Sequence, residues 1–183
     1  MKEKICIVTD SCADIPDSFL EQYDIRMIPI IIQAPDHTYH DRVDITVQDV
    51  YKLLDQEVVL KSASPTGQDM LDTLEKIKAD GYTHAICVML SSGLSGTYNS
   101  LRLWKDSVDG LEVEVFDSLN GSIGCGMMCI TLARYRDQGL SFEQLCAKVP
   151  GLVKNTYVFF SIEHLDLLER GGRIGKASSL LGT

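Results

Sequence analysis

Residues 83–100 read THAICVMLSSGLSGTYNS. The first half is apolar almost throughout, the pattern of a strand covered on both faces, and the second half crowds hydroxyls and glycines into the turn that follows. A strand covered on both faces belongs to a largely parallel sheet with helices on either side, so the polar turn falls at the carboxyl end of that strand. Open α/β sheets hold their ligands there. Residues 91–100 contain no Lys, His or Asp, so this turn can exchange hydrogen bonds but carries no group suited to moving a proton.

The same alternation extends in both directions. KICIVT (4–9) precedes the helical stretch PDSFLEQY (16–23), and IRMIPIIIQ (25–33) precedes a polar, hairpin-like segment around HTYHDRVD (37–44). TVQDVYKLL (46–54), VVLKSA (58–63) and GQDMLDTLEKIKADG (67–81) follow. Beyond the opening stretch come LEVEVF (111–116) and GSIGCGMMCITLARYRDQG (121–139). Gly81 and Gly139 stand where glycine closes a helix in the left-handed conformation. The predicted fold is α/β, a mostly parallel sheet sandwiched by helices, over residues 1–154.

After Pro150 the character changes. TYVFFSIEHLDLLERGGRIGKASSLLGT (156–183) offers one strand, a short helix, a Gly-Gly break and the beginning of another helix. Residues 155–183 are therefore read as the opening of a second, truncated α+β domain. We expect this segment to be poorly ordered or paired with the same segment of a second chain, with Pro150 and Gly151 as the hinge.

The formal charge of −9 makes attraction to a phosphate backbone unfavourable, so nucleic acid is not an expected partner. There is no signal peptide pattern and no apolar run long enough for a membrane span, which places the protein in the cytoplasm as read from sequence. Six cysteines occur, none in a CxxC pair. Cys125 and Cys129 fall four apart on a predicted helix, without further ligands at metal spacing, so the cysteines read as reduced core thiols and no metal or cofactor is expected.

Four predicted strands run into Ser/Thr/Asp/Gly turns: Thr9, Asp10 and Ser11; Ser62, Ser64 and Thr66; Ser91, Ser92, Ser95 and Thr97; Asp117, Ser118 and Ser122. Each opens a helix, so free N–H groups and the positive dipole end are expected to face one shared site for a small anion. Gly93 and Gly96 are expected to supply unusual φ values or close backbone approach. Helix capping alone is the competing reading for any one turn. Walker A and dinucleotide-binding spacings are absent, and GLSGT (93–97) misses the nucleophile elbow by one residue, because Thr97 stands where glycine belongs. A serine acyl hydrolase remains an alternative, with His164 as the one placeable base, as does a module binding another small anion.

IVTDSCADIP (7–16), SASPTG (62–67), SSGLSGTYNS (91–100), FDS (116–118) and ERGGRIGKAS (169–178), in this order, resemble the DegV family of bacterial fatty-acid-binding proteins. The resemblance runs over essentially the whole chain. It implies a non-catalytic carrier that holds a long-chain fatty acid between two domains and presents its carboxylate to a partner fatty acid kinase for acyl-phosphate formation. It makes Thr66 and Ser95 the carboxylate donors, with Ser64, Gly96, Thr97, Ser11 and Ser118 completing the ligand site. Arg170 and Arg173 are placed near the headgroup or the kinase-docking surface. Family members continue further, and the histidine they bring to the headgroup from that region has no counterpart in this sequence.

Overall fold

The computed structural model describes residues 3–161 and 171–173. These fall into two compact units: residues 3–30 with 64–158, and residues 31–63 with the described residues from 159 onward.

The first unit is built on four parallel strands, β1 (Ile5–Asp10), β2 (Ile25–Ile28), β6 (His84–Met89) and β7 (Glu112–Asp117), in the order β2-β1-β6-β7. Helix α1 (Asp17–Gln22) leads from β1 to β2, α3 (Gly67–Ala79) precedes β6, and α4 (Thr97–Trp104) leads to β7. Helices α5 (Ser122–Asp137) and α6 (Phe142–Asn155) complete the unit. Side chains alternate across the sheet as the pleat requires. Ile5 and Ile7 of β1 and Ile86 and Val88 of β6 join Met128, Leu132 and Leu145 in one cluster with α5 and α6. Cys6, Val8, Cys87 and Met89 join Met70, Leu74 and Leu101 in the other, with α3 and α4. The predicted sandwich of helices on a parallel sheet is the observed fold.

The direction in which strands are added across the sheet reverses between β1 and β6, since β1 is continued outward to β2 on one side and β6 to β7 on the other. The carboxyl ends of these two strands flank the crevice where such sheets bind ligands.

The second unit contains a three-stranded antiparallel sheet, β4 (Thr38–His40), β3 (Ile31–Gln33) and β5 (Lys61–Ala63) in the order β4-β3-β5, with helix α2 (Val47–Asp55). Two sequence expectations are corrected here. IRMIPIIIQ is not one strand: it breaks at Pro29, which has no N–H to give a ladder, so that β2 stays in the parallel sheet and β3 joins the other. The KSA strand likewise belongs to the antiparallel sheet, and reading the first domain unbroken from 1 to 154 did not separate residues 31–63.

Helix ends follow the sequence closely. Gly81 (φ 84°) and Gly139 (φ 91°) lie just beyond α3 and α5, and the next residues, Tyr82 and Leu140, donate back to the carbonyls of Ile77 and Tyr135. Pro150 is the exception, because α6 runs through it to Asn155. Burial outweighs the lost hydrogen bond: Leu145 and Val149 before the proline are in the core, and Leu152 and Val153 after it pack against the same cluster. Pro150 and Gly151 are thus helix, and the expected hinge does not begin there. Residues 162–170 and 174–183, on which the expectation of disorder or pairing falls, lie outside the described residues.

Gly126 marks a close approach of α5 to the backbone that follows β1. A Cβ on it would stand 2.5 Å from the Ala13 carbonyl oxygen and 2.8 Å from Ile15 Cγ1, and the backbone oxygen cannot swing away. Overpacking of this kind costs about 1–3 kcal/mol, against up to ~1 kcal/mol that alanine gains in helix propensity. Gly126→Ala is expected to lower the denaturant midpoint, and an unchanged midpoint would show that α5 has room to shift.

Candidate functional site

The turn after β6 is closed almost entirely by its neighbours. Leu90 N–H donates to Asp10 Oδ2 (2.8 Å), and Ser91 N–H donates to the Asn120 carbonyl (2.9 Å). Ser92 N–H donates to Asp117 Oδ1 (3.1 Å), while Gly93 N–H reaches Ser91 Oγ (3.2 Å). Leu94 and Ser95 N–H both return to the Ser91 carbonyl. The expectation that this loop aims a set of free N–H groups at a ligand is therefore corrected: its amides fix its own shape. Gly93 and Gly96 are not left-handed either, Gly96 having φ −76°. A Cβ at Gly96 would make ordinary contact with Ser64 Oγ at 3.5 Å.

Hydroxyls are what the loop presents. Ser64 Oγ and Ser95 Oγ are 3.2 Å apart, and Ser95 Oγ and Thr97 Oγ1 are 2.9 Å apart. Ser95 Oγ also accepts the Thr97 N–H at 3.3 Å. Each hydroxyl has one proton to give and lone pairs to receive. Two links in a chain of three hydroxyls consume two of three protons, which leaves one for an external acceptor. Ser64 and Ser95 are half-buried and Thr97 is fully buried, so the outlet falls at the Ser64–Ser95 end.

Thr66, two residues along from Ser64, caps α3. Its Oγ1 donates to Asp69 Oδ2 (2.6 Å) and accepts the Asp69 N–H (3.1 Å), while Thr66 N–H donates to the same carboxylate in a capping box. The side chain is exposed. Ser11 and Ser118 are placed differently. Both are buried: Ser11 Oγ accepts the Ile30 N–H, and Ser118 Oγ donates to the Asn120 carbonyl and accepts the Asn120 N–H. Arg173 donates to the Gly171 carbonyl, and Arg170 lies outside the described residues. The structure thus gathers Ser64, Ser95, Gly96 and Thr97, sets Thr66 at the neighbouring helix start, and turns Ser11 and Ser118 into loop supports.

The sequence places Asp10 and Asp117 in two of the strand-end turns but gives neither a role of its own. The available signal was a repeated Asp-Ser: the dipeptide ends both β1 (Asp10-Ser11) and β7 (Asp117-Ser118). Asp10 is 1% exposed, and burial pushes its carboxyl up to about 6 despite the opposing hydrogen bonds from Leu90 and Cys12, with nearby Asp14 adding to the rise. A carboxyl held more tightly protonated in the fold than in the unfolded chain stabilises the fold when protonated. That contribution is full below the ordinary value of 3.8 and is lost as pH rises through about 6. The stability of the parent relative to Asp10→Asn is accordingly expected to fall with rising pH across this window in denaturant titrations. A flat difference would remove the buried, titrating carboxyl from the account. Exposed Asp49, held down to about 2 by Lys52 and Thr46, acts only below that window.

No base accompanies Ser95 among the described residues. Its hydroxyl partners are Ser64 and Thr97, and His84 opens β6 at the opposite end of the strand, beside Thr83 Oγ1 and Glu112. His37 and His40 belong to the second unit, and His164 lies outside the described residues. Cys125 and Cys129 are fully buried, and among the described residues no group of three His, Cys, Asp or Glu is arranged to hold a metal. Nor is any described helix long and apolar enough to cross a membrane.

Apolar side chains are exposed on the loop after β7 and along α5. Leu90 and Leu94 lie against Gly121 at the start of α5, and Leu119, Ile123 and Met127 are 57%, 43% and 46% exposed. Of residues 127–130, Met128, Cys129 and Ile130 are core and Met127 is open.

The fold has relatives among solved structures. DegV of Bacillus subtilis, a fatty acid binding protein, superposes with a TM-score of 0.90 at 27% identity, over 100% of this chain and 65% of that one. A fatty-acid-binding DegV family protein from Thermus thermophilus gives 0.85 at 29% identity, over 98% and 64%. A stearic acid-binding protein from Eubacterium ventriosum gives 0.83 at 29%, over 93% and 60%. By sequence, a DegV domain-containing protein of Clostridium acetobutylicum is 38% identical over 180 residues, which is 98% of this chain and 64% of the relative. This chain thus spans 64% of the length of that curated relative. The family model described as "Uncharacterised protein, DegV family" matches residues 4–183. With that match over nearly every residue, and the fold shared with these structures, the chain belongs to the DegV family.

Proposed function

We propose that this protein binds a long-chain fatty acid, receives its carboxylate at the Ser64–Ser95–Thr97 hydroxyls and the Thr66 cap of α3, and presents it to a partner fatty acid kinase without itself catalysing a reaction. The observation that carries the reading is the hydroxyl chain at the β1/β6 crevice, with one proton to spare and, among the described residues, no base beside it. Such a group orients an anion and does no proton transfer. The fatty acids bound by the Bacillus and Thermus proteins support the choice of ligand.

Magnitudes divide the roles. About 14 methylenes at roughly 0.8 kcal/mol each give on the order of 11 kcal/mol gross, much of it offset by ordering a flexible chain. Hydrogen bonds to a charged group contribute about 1.5–3 kcal/mol each. The tail sets affinity, with exposed Leu119, Ile123 and Met127 as its contact on the first unit, and the hydroxyls set orientation. The residues beyond α6 serve in this reading as the opening of the second domain. Arg170 and Arg173 there supply planar, bidentate donors suited to the acyl phosphate as it forms.

Organic extraction of the purified protein followed by mass spectrometry tests the ligand class. A stoichiometric long-chain fatty acid is expected. Recovery of none, together with no uptake of added palmitate, would overturn the assignment.

A further inference from the structure

Two carboxylates hold the serine loop from either side. Asp10 ends β1 and Asp117 ends β7, the strands that flank β6. Each closes a turn of its own, through the Cys12 N–H on Asp10 Oδ1 (3.1 Å) and the Leu119 N–H on Asp117 Oδ1 (3.0 Å). Turn closure does not explain their second bonds. Asp10 also receives the N–H of Leu90, 80 positions away, and Asp117 that of Ser92, 25 positions away. Through these bonds the loops after β1 and β7 are tied to the backbone of the loop after β6.

The two clamps use their oxygens differently. Asp10 spends one oxygen on each bond, Oδ1 on Cys12 and Oδ2 on Leu90. Asp117 takes both of its bonds on Oδ1. Asparagine offers one acceptor oxygen and an NH2 that only donates. At the half-buried position 117 its oxygen can keep both bonds while the NH2 meets water. At position 10, which is 1% exposed, the NH2 would confront a backbone N–H with no water to relieve it. Leu119 is left-handed at φ 50°, a conformation that non-glycine residues seldom adopt, and the Asp117 bond to its N–H helps hold it there.

We propose that Asp10 and Asp117 are positioning residues that keep the Ser91–Thr97 loop in its ligand-binding shape, Asp117 as a one-oxygen acceptor that asparagine can replace and Asp10 as a two-oxygen acceptor that it cannot. The functional half of this proposal rests on the fatty-acid reading above.

The test combines amide hydrogen exchange at Leu90, Ser92 and Cys12 with palmitate titration of the parent, Asp117→Asn, Asp117→Ala and Asp10→Asn. Asp117→Asn is expected to protect Ser92 as the parent does and to bind palmitate within about twofold of it. Asp117→Ala is expected to lose that protection and bind about tenfold more weakly, the scale of one buried donor left unpaired. Asp10→Asn is expected to lose protection at Leu90 or Cys12 with a similar weakening. If Asp10→Asn does not fold, the contrast between the two variants at 117 carries the test alone. Asparagine behaving as alanine at 117, or Asp117→Ala keeping Ser92 protected, would overturn the clamp. Altered protection with unchanged palmitate affinity would overturn the positioning role. A parent that takes up no palmitate refutes the fatty-acid reading and with it the functional half, while the exchange pattern still decides the clamp.

Discussion

Leu101→Ala is expected to destabilise the protein by about 2–5 kcal/mol, the range for removing a large aliphatic side chain from a core that relaxes only in part. Leu101 is fully buried in the cluster that contains Met70 and Leu74 of α3 and Cys87 and Met89 of β6. It is also the residue that seats α4, whose first residue is Thr97, on the sheet. The loss should therefore extend from global stability to the geometry of the hydroxyl chain. Chemical denaturation measures the first, and palmitate affinity under conditions where the variant is still folded measures the second. A loss below about 1 kcal/mol would mean that α4 is not held by this contact.

Ser95→Ala is the second large effect, and it acts on the ligand. Ser95 Oγ is the middle hydroxyl, so its removal separates Ser64 from Thr97 and leaves the Thr97 N–H without this acceptor. Fatty-acid binding is expected to weaken by about 1.5–3 kcal/mol, the range for a hydrogen bond to a charged group. Thr66→Ala, whose hydroxyl must turn its proton from Asp69 to the ligand, should weaken binding on the same scale and also lose a helix cap, so stability falls by about 1 kcal/mol with it. Ser141→Ala separates these contributions. Ser141 caps α6, where Phe142 N–H meets Glu3 just ahead of β1, at the amino end of the sheet. Its loss should lower stability by a similar amount and leave affinity alone. Equal affinities for the parent, Ser95→Ala and Thr66→Ala would move the headgroup elsewhere.

Much of this was legible in the sequence because local signals and tertiary burial agree. THAICVML followed by hydroxyls became β6 and its loop, and Gly81 and Gly139 close their helices as predicted. Thr66 and Ser141 both start helices with capping boxes. Disagreement arises where local chemistry and long-range pairing diverge. KSA reads as a strand in either sheet, and only its pairing with Ile31–Gln33 decides which. Pro150 reads as a stop, yet the apolar residues on either side keep α6 going. The serine loop looked like an array of free donors because sequence does not show which amides are already taken. Asp10, Asp117 and the Asn120 carbonyl, all distant in sequence, take those of Leu90, Ser92 and Ser91, and Ser91 itself takes those of Gly93, Leu94 and Ser95. Ser11 and Ser118 looked equivalent to Ser95 for the same reason, and only burial separates a hydroxyl that supports a loop from one that faces outward.

The central claim is that a fatty-acid carboxylate sits on the Ser95 hydroxyl. Carboxyl-13C palmitate titrated into the parent, Ser95→Ala and Ser141→Ala and followed by NMR tests it most directly. One bound carboxyl resonance is expected in the parent, unchanged in Ser141→Ala and displaced or broadened in Ser95→Ala. A bound resonance identical in all three proteins, or none at all in the parent, would contradict it.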